Sequence, residues 1–453
     1  MGKKQRAKTE HNGSNSMDMI SELPQPILHH ILSFLSERYA TQTSVLSKTW
    51  LDVWSTRPKI ELCEGNFPWR SKLFLPALDN LFQRYHDLNL SIQELSLMMV
   101  VDSESVLVLN KWIPIVNVFS LHIFSYCNSN IPYSVLVAES LKKLCMENCT
   151  LSDRNPPSVG KFTNLQTLHL VSVIIEDNAL VKMVSTCPRL KSLTLDSMKL
   201  SNDSLNLFSS NHMPSLEYLD LQRCYGFTEF HLVSRSIKHL IMIINTNWKD
   251  HVEKVTILAP SILYFKYSSS FIPSICFTTT SDHEWKSEID LSFEKVDADS
   301  SWFVKLNKLL SALSRSEISL TLHHCQWKET EEPQDDDVDT RLYRRPVMVE
   351  NLKLCLRPAD LFRDFIHDLL FRVCHPRNIS FYKGSQFVWK IEHKKFDEVL
   401  YEILIMERES TGHYLWRPDL EEVSVEAFDE SGKREHWPSL DDLNRLCFRL
   451  KWR

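Results

Sequence analysis

Glycine is nearly missing from this chain. Only 8 of 453 residues are glycine, where average usage of about 7% would place roughly thirty. Phosphate-cradling loops, dinucleotide turns and nucleophile elbows need glycine, because the backbone there approaches a ligand closely or turns at positive φ. None of those patterns occurs, and no nucleophile is accompanied by a recognisable positioned base. The sequence therefore reads as a binding protein without catalytic residues, cofactor or metal. Long apolar runs are also lacking. The longest, residues 240–244, has the length of a strand, so no membrane span is expected. A basic excess is absent too: 52 basic residues face 58 acidic ones, the net charge is −6, and no nucleic-acid groove is expected. The 11 cysteines include no Cys-x-x-Cys pair, which suits reduced thiols in the nucleus, the cytoplasm or both. Residues 1–16 have no apolar core, so no secretory signal is expected. Their Lys3, Lys4, Arg6 and Lys8 read as a solvated tail or a weak nuclear signal. Arg6 stands where a myristoylation motif wants Ser or Thr, so Gly2 is not expected to be lipidated.

What is present is a repeat. The template L-x-x-L-x-L appears as Ile92, Leu95, Leu97; Val118, Leu121, Ile123; Leu141, Leu144, Met146; and Leu165, Leu168, Leu170. It continues as Leu190, Leu193, Leu195; Leu216, Leu219, Leu221; Ile237, Leu240, Met242; and Ile262, Phe265, Tyr267. Successive starts step by 26, 23, 24, 25, 26, 21 and 25 residues, within the period of leucine-rich repeats. In each repeat a short strand turns alternate leucines inward, and the chain returns by a helix or irregular segment. One repeat cannot bury its own leucines, so neighbours must stack. Residues 179–184 and 204–208 read as helical returns, with Asp177 and Asp203 at their entries. Cys149 and Cys224 fall at the eighth offset, where a small buried residue fills the turn.

Beyond residue 275 the signal weakens. Leu291 with Phe293 and Leu320 with Leu322 read as irregular strands, and Cys325 holds the eighth offset of a repeat starting at Glu317. His323-His324 has no second ligand pair at zinc spacing. Residues 326–341 read as an acidic inserted loop. Their Asp335-Asp336-Asp337 lacks the alternation and glycine of a calcium loop. The template returns at Val349, Leu352, Leu354. A helix is expected over 359–374, another around Phe396–Leu404, and a last strand at Leu420, Val423, Val425.

Ahead of the repeats, residues 17–60 open with Leu23-Pro24. An amphipathic stripe of Ile27, Leu28, Ile31, Leu32 and Leu35 follows. The segment closes with Val45-Leu46-Ser47, Trp50 and Trp54. About forty residues bury little core of their own. This segment resembles an F-box, and the repeats resemble leucine-rich-repeat solenoids. Trp416, the strand at Leu420–Val425 and Phe428 are similar to the C-terminal region of plant F-box/leucine-rich-repeat proteins of the FBD-like group.

The resemblance implies an α/β fold. A short N-terminal helical F-box (17–60) would follow the tail (1–16). A leucine-rich-repeat horseshoe (61–355) and a mixed helix and strand C-terminal cap (356–453) would complete it. It implies a substrate-recognition subunit of a Skp–cullin–F-box ubiquitin ligase. Leu23, Pro24, Ile27, Leu28, Ile31, Leu32, Val45, Leu46 and Trp50 would bury against a Skp-type adaptor, and through it reach a cullin. Trp54 would pack toward the first repeat. The outward strand positions include Lys142, Glu147, Asp196, Lys238 and His239. Those chosen as candidates for holding a protein substrate are His169, Thr194, Tyr218, Asp220 and Lys266. Two rival readings stay open. In one, the module merely caps a repeat scaffold with no ligase role, and its stripe is covered by the chain itself. In the other, the repeats hold a small molecule over an inositol phosphate, as some related solenoids do, although this chain has no ring of basic residues.

Overall fold

In the computed structural model, the described residues are 20–66, 71–114, 118–131, 133–136, 138–151, 162–175, 177–200, 213–244, 252–279, 284–292, 300–323, 345–355, 370–381, 400–405, 417–428, 434–435 and 446–453. The chain divides into two compact units, residues 1–123 and 124–453.

The first unit begins with three short helices, α1 (Gln25–Ser33), α2 (Glu37–Thr43) and α3 (Lys48–Ser55). Pro24 precedes α1 and Pro26 sits in its first turn, where a missing N–H costs nothing. Ser47 starts α3 by accepting a hydrogen bond from the Trp50 amide. Strand β1 (Lys59–Cys63), α4 (Ser71–Asp87), β2 (Glu94–Val100), α5 (Ser103–Trp112) and β3 (Val118–Phe124) follow. β1 and β2 pair in parallel, with Ile60 opposite Leu95 and Leu62 opposite Leu97. Helix α4 buries Phe74, Leu78, Phe82 and Tyr85. Its Tyr85 hydroxyl donates to the Arg57 carbonyl at 2.8 Å and Arg84 donates to the Ser55 carbonyl, tying the end of the three-helix module to α4.

The second unit holds the repeat ladder. Its inner strands are β4 (Lys143–Glu147), β6 (Thr167–Val171), β8 (Ser192–Asp196), β9 (Tyr218–Gln222), β11 (His239–Ile243), β13 (Tyr264–Ser269), β15 (Lys286–Ser292), β16 (Glu317–His323), β17 (Val347–Cys355) and β18 (Cys374–Phe381), all parallel. The register is the repeat itself. Leu144, Leu168, Leu193, Leu219, Leu240 and Phe265 stand side by side, and Met146, Leu170, Leu195, Leu221, Met242 and Tyr267 form the next row. Both rows are buried throughout.

Several expectations are corrected. The strand near residue 291 turns Ile289 and Leu291 inward, aligned with Tyr267 and Ser269, and Phe293 lies outside the described residues. Buried Ser287 takes the place opposite Phe265 and shares a 2.6 Å hydrogen bond with Ser316, which hides the repeat from an apolar template. Three return segments are strands: β10 (Glu229–Val233), β12 (Lys254–Leu258) and β14 (Ser274–Thr278) form a separate parallel sheet. Residues 150–151 (β5) and 174–175 (β7) make a two-stranded one. The helix expected to end near residue 374 closes at Phe371–Val373, and β18 starts at Cys374 and pairs in parallel with β17. The strand at Leu420–Phe428 (β19) is not another repeat. It is antiparallel to β21 (Leu446–Trp452), which itself turns antiparallel onto β18, with β20 (Arg434–Glu435) at the far edge. Helical returns do occur at α6 (Tyr133–Leu136), at α7 (Asp177–Ser185), which starts at Asp177 as expected, and at α8 (Ser300–Ala312). Residues 400–404 are helical, with Leu400, Ile403 and Leu404 buried. Asp203, residues 204–208, His324, Cys325, the acidic segment 326–341, residues 359–369, Phe396, Val399 and Trp416 lie outside the described residues. Among the described residues no helix is long and apolar enough to cross a membrane.

The scarcity of glycine has a structural counterpart. Directly after β4, β6, β8 and β9, Asn148, Ser172, Ser197 and Arg223 adopt φ of 50°, 49°, 53° and 51°. Their amides donate to Val171, Asp196, Gln222 and Ile243 of the next strand, so each left-handed residue makes the corner of its repeat. A left-handed non-glycine residue costs about 1–2 kcal/mol, partly offset by the extra unfolded-state freedom of glycine. Ser172→Gly is therefore expected to raise stability by about 0.5–1 kcal/mol and Ser172→Val to lower it by about 1 kcal/mol, read as shifts of the urea midpoint.

Candidate functional site

The N-terminal module has a small core and a large apolar exterior. Leu28, Leu32, Ala40, Trp50 and Val53 form the core, with Ile31 and Trp54 packed against it. Leu28, Leu32 and Trp50 were expected to bury against an adaptor. They are instead 1%, 3% and 5% exposed, because a stripe at i, i+4 on one short helix is first used to hold α2 and α3. Trp54 packs on this core rather than toward a repeat, and the Arg57 guanidinium lies 4.7 Å over its ring. Arg57 also pairs with Glu37 and donates to the Trp54 carbonyl, closing the module around a buried ion pair. Burial pushes the Glu37 carboxyl up, against the pull of Arg57.

Of the other expected residues, Ile31 packs against this core and the rest lie outward. Leu23, Pro24 and Ile27 are exposed, and Val45 and Leu46 are 84% and 66% exposed at the turn between α2 and α3. Leu35, which closes the sequence stripe, is exposed as well. Ile20, Phe34, Tyr39 and Leu51 join them; the sequence motif does not single these out. Large apolar side chains exposed at this density are characteristic of interaction sites. A cavity of about 380 Å³ opens beside it, lined by Pro26, His29, Leu35, Glu37, Arg57 and Glu94 among others.

The second unit presents the outward face of its ladder. His169, Thr194, Asp220 and Lys266 fall in one register row, with Ile241 between Asp220 and Lys266. Tyr218 lies in the adjacent row with His239 and Tyr264. The structure thus gathers all five candidates on one surface, and adds Tyr264 and Glu288, which the sequence did not single out. Lys266 pairs with Glu288 at 3.2 Å, Lys238 with Glu217 at 2.9 Å, and Arg223 with Asp196 through a forked contact. Burial raises the Asp196 carboxyl, but hydrogen bonds from Arg223 and Ser197 outweigh it and leave the group below the usual carboxylate range.

The eighth-offset cysteines are structural. Cys149 and Cys224 are buried and donate to the carbonyls of Glu147 and Leu195, each at 3.2 Å. Burial pushes their thiols up to about 11 and about 12, so little thiolate forms at neutral pH. Cys127 and Cys276 are exposed. Cys127 and Cys276 are expected to react with a maleimide in the folded chain, whereas Cys149 and Cys224 should label only after unfolding, as mass spectrometry of timed samples will read.

Residues 20–61 match the F-box domain. Residues 116–213 match the family described as FBD-associated F-box protein At5g56370, LRR repeats. The chain therefore carries an F-box followed by leucine-rich repeats, the make-up of plant F-box/LRR-repeat proteins. It is 28% identical over 261 residues to F-box/LRR-repeat protein 25 of Arabidopsis thaliana, spanning 56% of this chain and 87% of that protein. The FBD-associated F-box protein At5g56820 of the same plant is 28% identical over 228 residues, 49% of this chain and 52% of its own length. The F-box/LRR-repeat protein At3g18150, also of that plant, is 26% identical over 326 residues, 68% of this chain and 60% of its own length. Against these last two, the chain spans about half to three-fifths of the relative.

Proposed function

We propose that this chain is the substrate-recognition subunit of a Skp–cullin–F-box ubiquitin ligase. The observation that carries the reading is the set of large apolar side chains that the F-box module leaves exposed, Leu23, Ile27, Phe34, Leu35, Val45 and Leu46, around a core that is already closed. A set of this kind on a folded module supports a protein partner of complementary apolar shape, and an F-box domain generally binds a Skp-type adaptor. Of the adaptor residues expected from the sequence, Leu23, Pro24, Ile27, Val45 and Leu46 would make the contact, while Leu28, Leu32 and Trp50 would hold the module in shape. The outward ladder face, with His169, Thr194, Tyr218, Asp220 and Lys266, would hold the substrate.

The chain would contribute no catalytic group. It would raise the effective concentration of a bound substrate beside a ubiquitin-conjugating enzyme on the same scaffold. The test is co-elution: purified chain, Skp-type adaptor and cullin are mixed and run on a sizing column. The expected result is a single peak containing all three. A peak of adaptor and cullin with the folded chain eluting alone would remove the ligase role and leave a repeat scaffold.

A further inference from the structure

We infer that β9, β11 and β13 form a seat for an arginine-bearing basic segment of the protein bound by the repeats, an inference that rests on the substrate-recognition reading above. Tyr218, His239 and Tyr264 stand in register on these three strands. Their ring centroids are 6.2 and 6.1 Å apart, with the planes tilted by 39° and 43°. The Tyr218 hydroxyl donates to Asp220 at 3.2 Å, and burial together with the neighbouring Glu288 pushes the Tyr264 hydroxyl up. With the Tyr218 phenolic proton committed to a carboxylate, the two tyrosines offer outward lone pairs and ring faces, and both attract cations.

Asp220 supplies the second, independent observation. It lies one row inward from Tyr218, on the face opposite buried Leu219 and Leu221, and is 4% exposed. Its Oδ2 accepts from Tyr218 and from Gln222 Nε2, the latter at 2.8 Å. Its Oδ1 is buried with no hydrogen-bond partner among the described residues. Three nearby cations are already paired: Lys238 with Glu217, Lys266 with Glu288 and Arg223 with Asp196. A buried carboxylate oxygen without a donor is a standing cost that an incoming donor removes. Gln222 is the neutral, half-buried side chain that such a group would displace.

Arginine fits this seat better than lysine. Its planar guanidinium stacks on tilted aromatic faces and still has in-plane donors for a carboxylate. A compact ammonium cannot do both at once. An acidic or phosphorylated segment would meet the Asp220 carboxylate and be repelled.

The test uses the full chain and two capped, fluorescein-labelled heptapeptides, Gly-Arg-Gly-Arg-Gly-Arg-Gly and its lysine analogue, titrated by fluorescence anisotropy. The arginine peptide is expected to bind at least about tenfold more tightly than the lysine peptide. Asp220→Asn should weaken it about tenfold and Tyr264→Leu about fivefold, while Glu253→Gln, on a return strand's approach, leaves it unchanged. The Asp220→Asn chain should melt at or above the wild-type midpoint, since the substitution removes an unmatched charge. Equal affinity for the two peptides, indifference to Asp220→Asn, or no binding by wild-type chain would each overturn the seat. Adaptor binding is measured on the same samples. Lost peptide binding with retained adaptor binding in Asp220→Asn supports the seat. The peptide pattern without adaptor binding by wild type keeps the seat and removes the ligase reading.

Discussion

Replacing Val45 and Leu46 together by aspartate is expected to abolish adaptor binding and leave the melting midpoint where it was. Both side chains project from the turn between α2 and α3, 84% and 66% exposed, so neither contributes to the internal core. In a complex they would be desolvated at an apolar interface, and burying two unpaired carboxylates there costs several kcal/mol. Interface energy concentrates in a few well-packed central residues, so a loss of at least about a hundredfold in affinity is expected. The contrasting variant is Leu28→Ala. Leu28 is 1% exposed, inside the cluster with Leu32, Trp50 and Val53. Its truncation should cost about 2–5 kcal/mol of the module's stability and weaken binding only through unfolding. Calorimetric titration with thermal melts separates the two. Unchanged affinity in the double aspartate variant would place the adaptor contact elsewhere.

Phe265→Ala carries the second large effect, a loss of about 3–5 kcal/mol from the second unit. The Phe265 side chain is fully buried in the row continued by Leu240. Its ring lies 5.5 Å from that of Phe277 on β14, which in turn stacks on Trp285 at 4.8 Å and 12°. The residue therefore joins the inner ladder to the outer three-stranded sheet, and removing it opens a cavity between two layers. Each repeat is supported only by its neighbours, so the urea midpoint of the second unit should fall sharply. A midpoint within experimental error of wild type would mean that the two layers do not pack at this point.

Much of this was readable in the residues because the repeat writes its register into the spacing of its leucines. The eight templates from Ile92 to Tyr267 mark inward positions, and every one whose side chain is described is buried. What escaped has physical causes. Alternation specifies which face is apolar and says nothing of strand direction, so Leu420, Val423 and Val425 fit the template yet run antiparallel to β21. β18 holds a proline, Pro376, opposite Val349, and proline argues against a central strand. Its carbonyl instead accepts from Trp452 at 2.7 Å, a contact 76 residues away that no local pattern announces. The return strands β10, β12 and β14 show plain alternation, as in Phe230 and Leu232 or Val255 and Ile257. They were overlooked because each return was expected to be a helix or an irregular segment.

On the N-terminal module the motif was legible, but the division of labour within it was not. One stripe serves two purposes: Leu28 and Leu32 face the other helices, while Ile27, one position away, stays exposed. The sequence period cannot tell a face covered by its own chain from one left for a partner. On the ladder face, the row positions of His169, Thr194, Asp220 and Lys266 followed from the repeat. The bare oxygen of Asp220 depended on side-chain pairings across strands.

The most direct measurement is amide hydrogen exchange on the full chain, with and without a purified Skp-type adaptor. The account predicts new protection confined to residues 20–51, around Leu23, Ile27, Val45 and Leu46, with no change along β4 to β18. Unchanged exchange across residues 20–51 in the presence of saturating adaptor would contradict it.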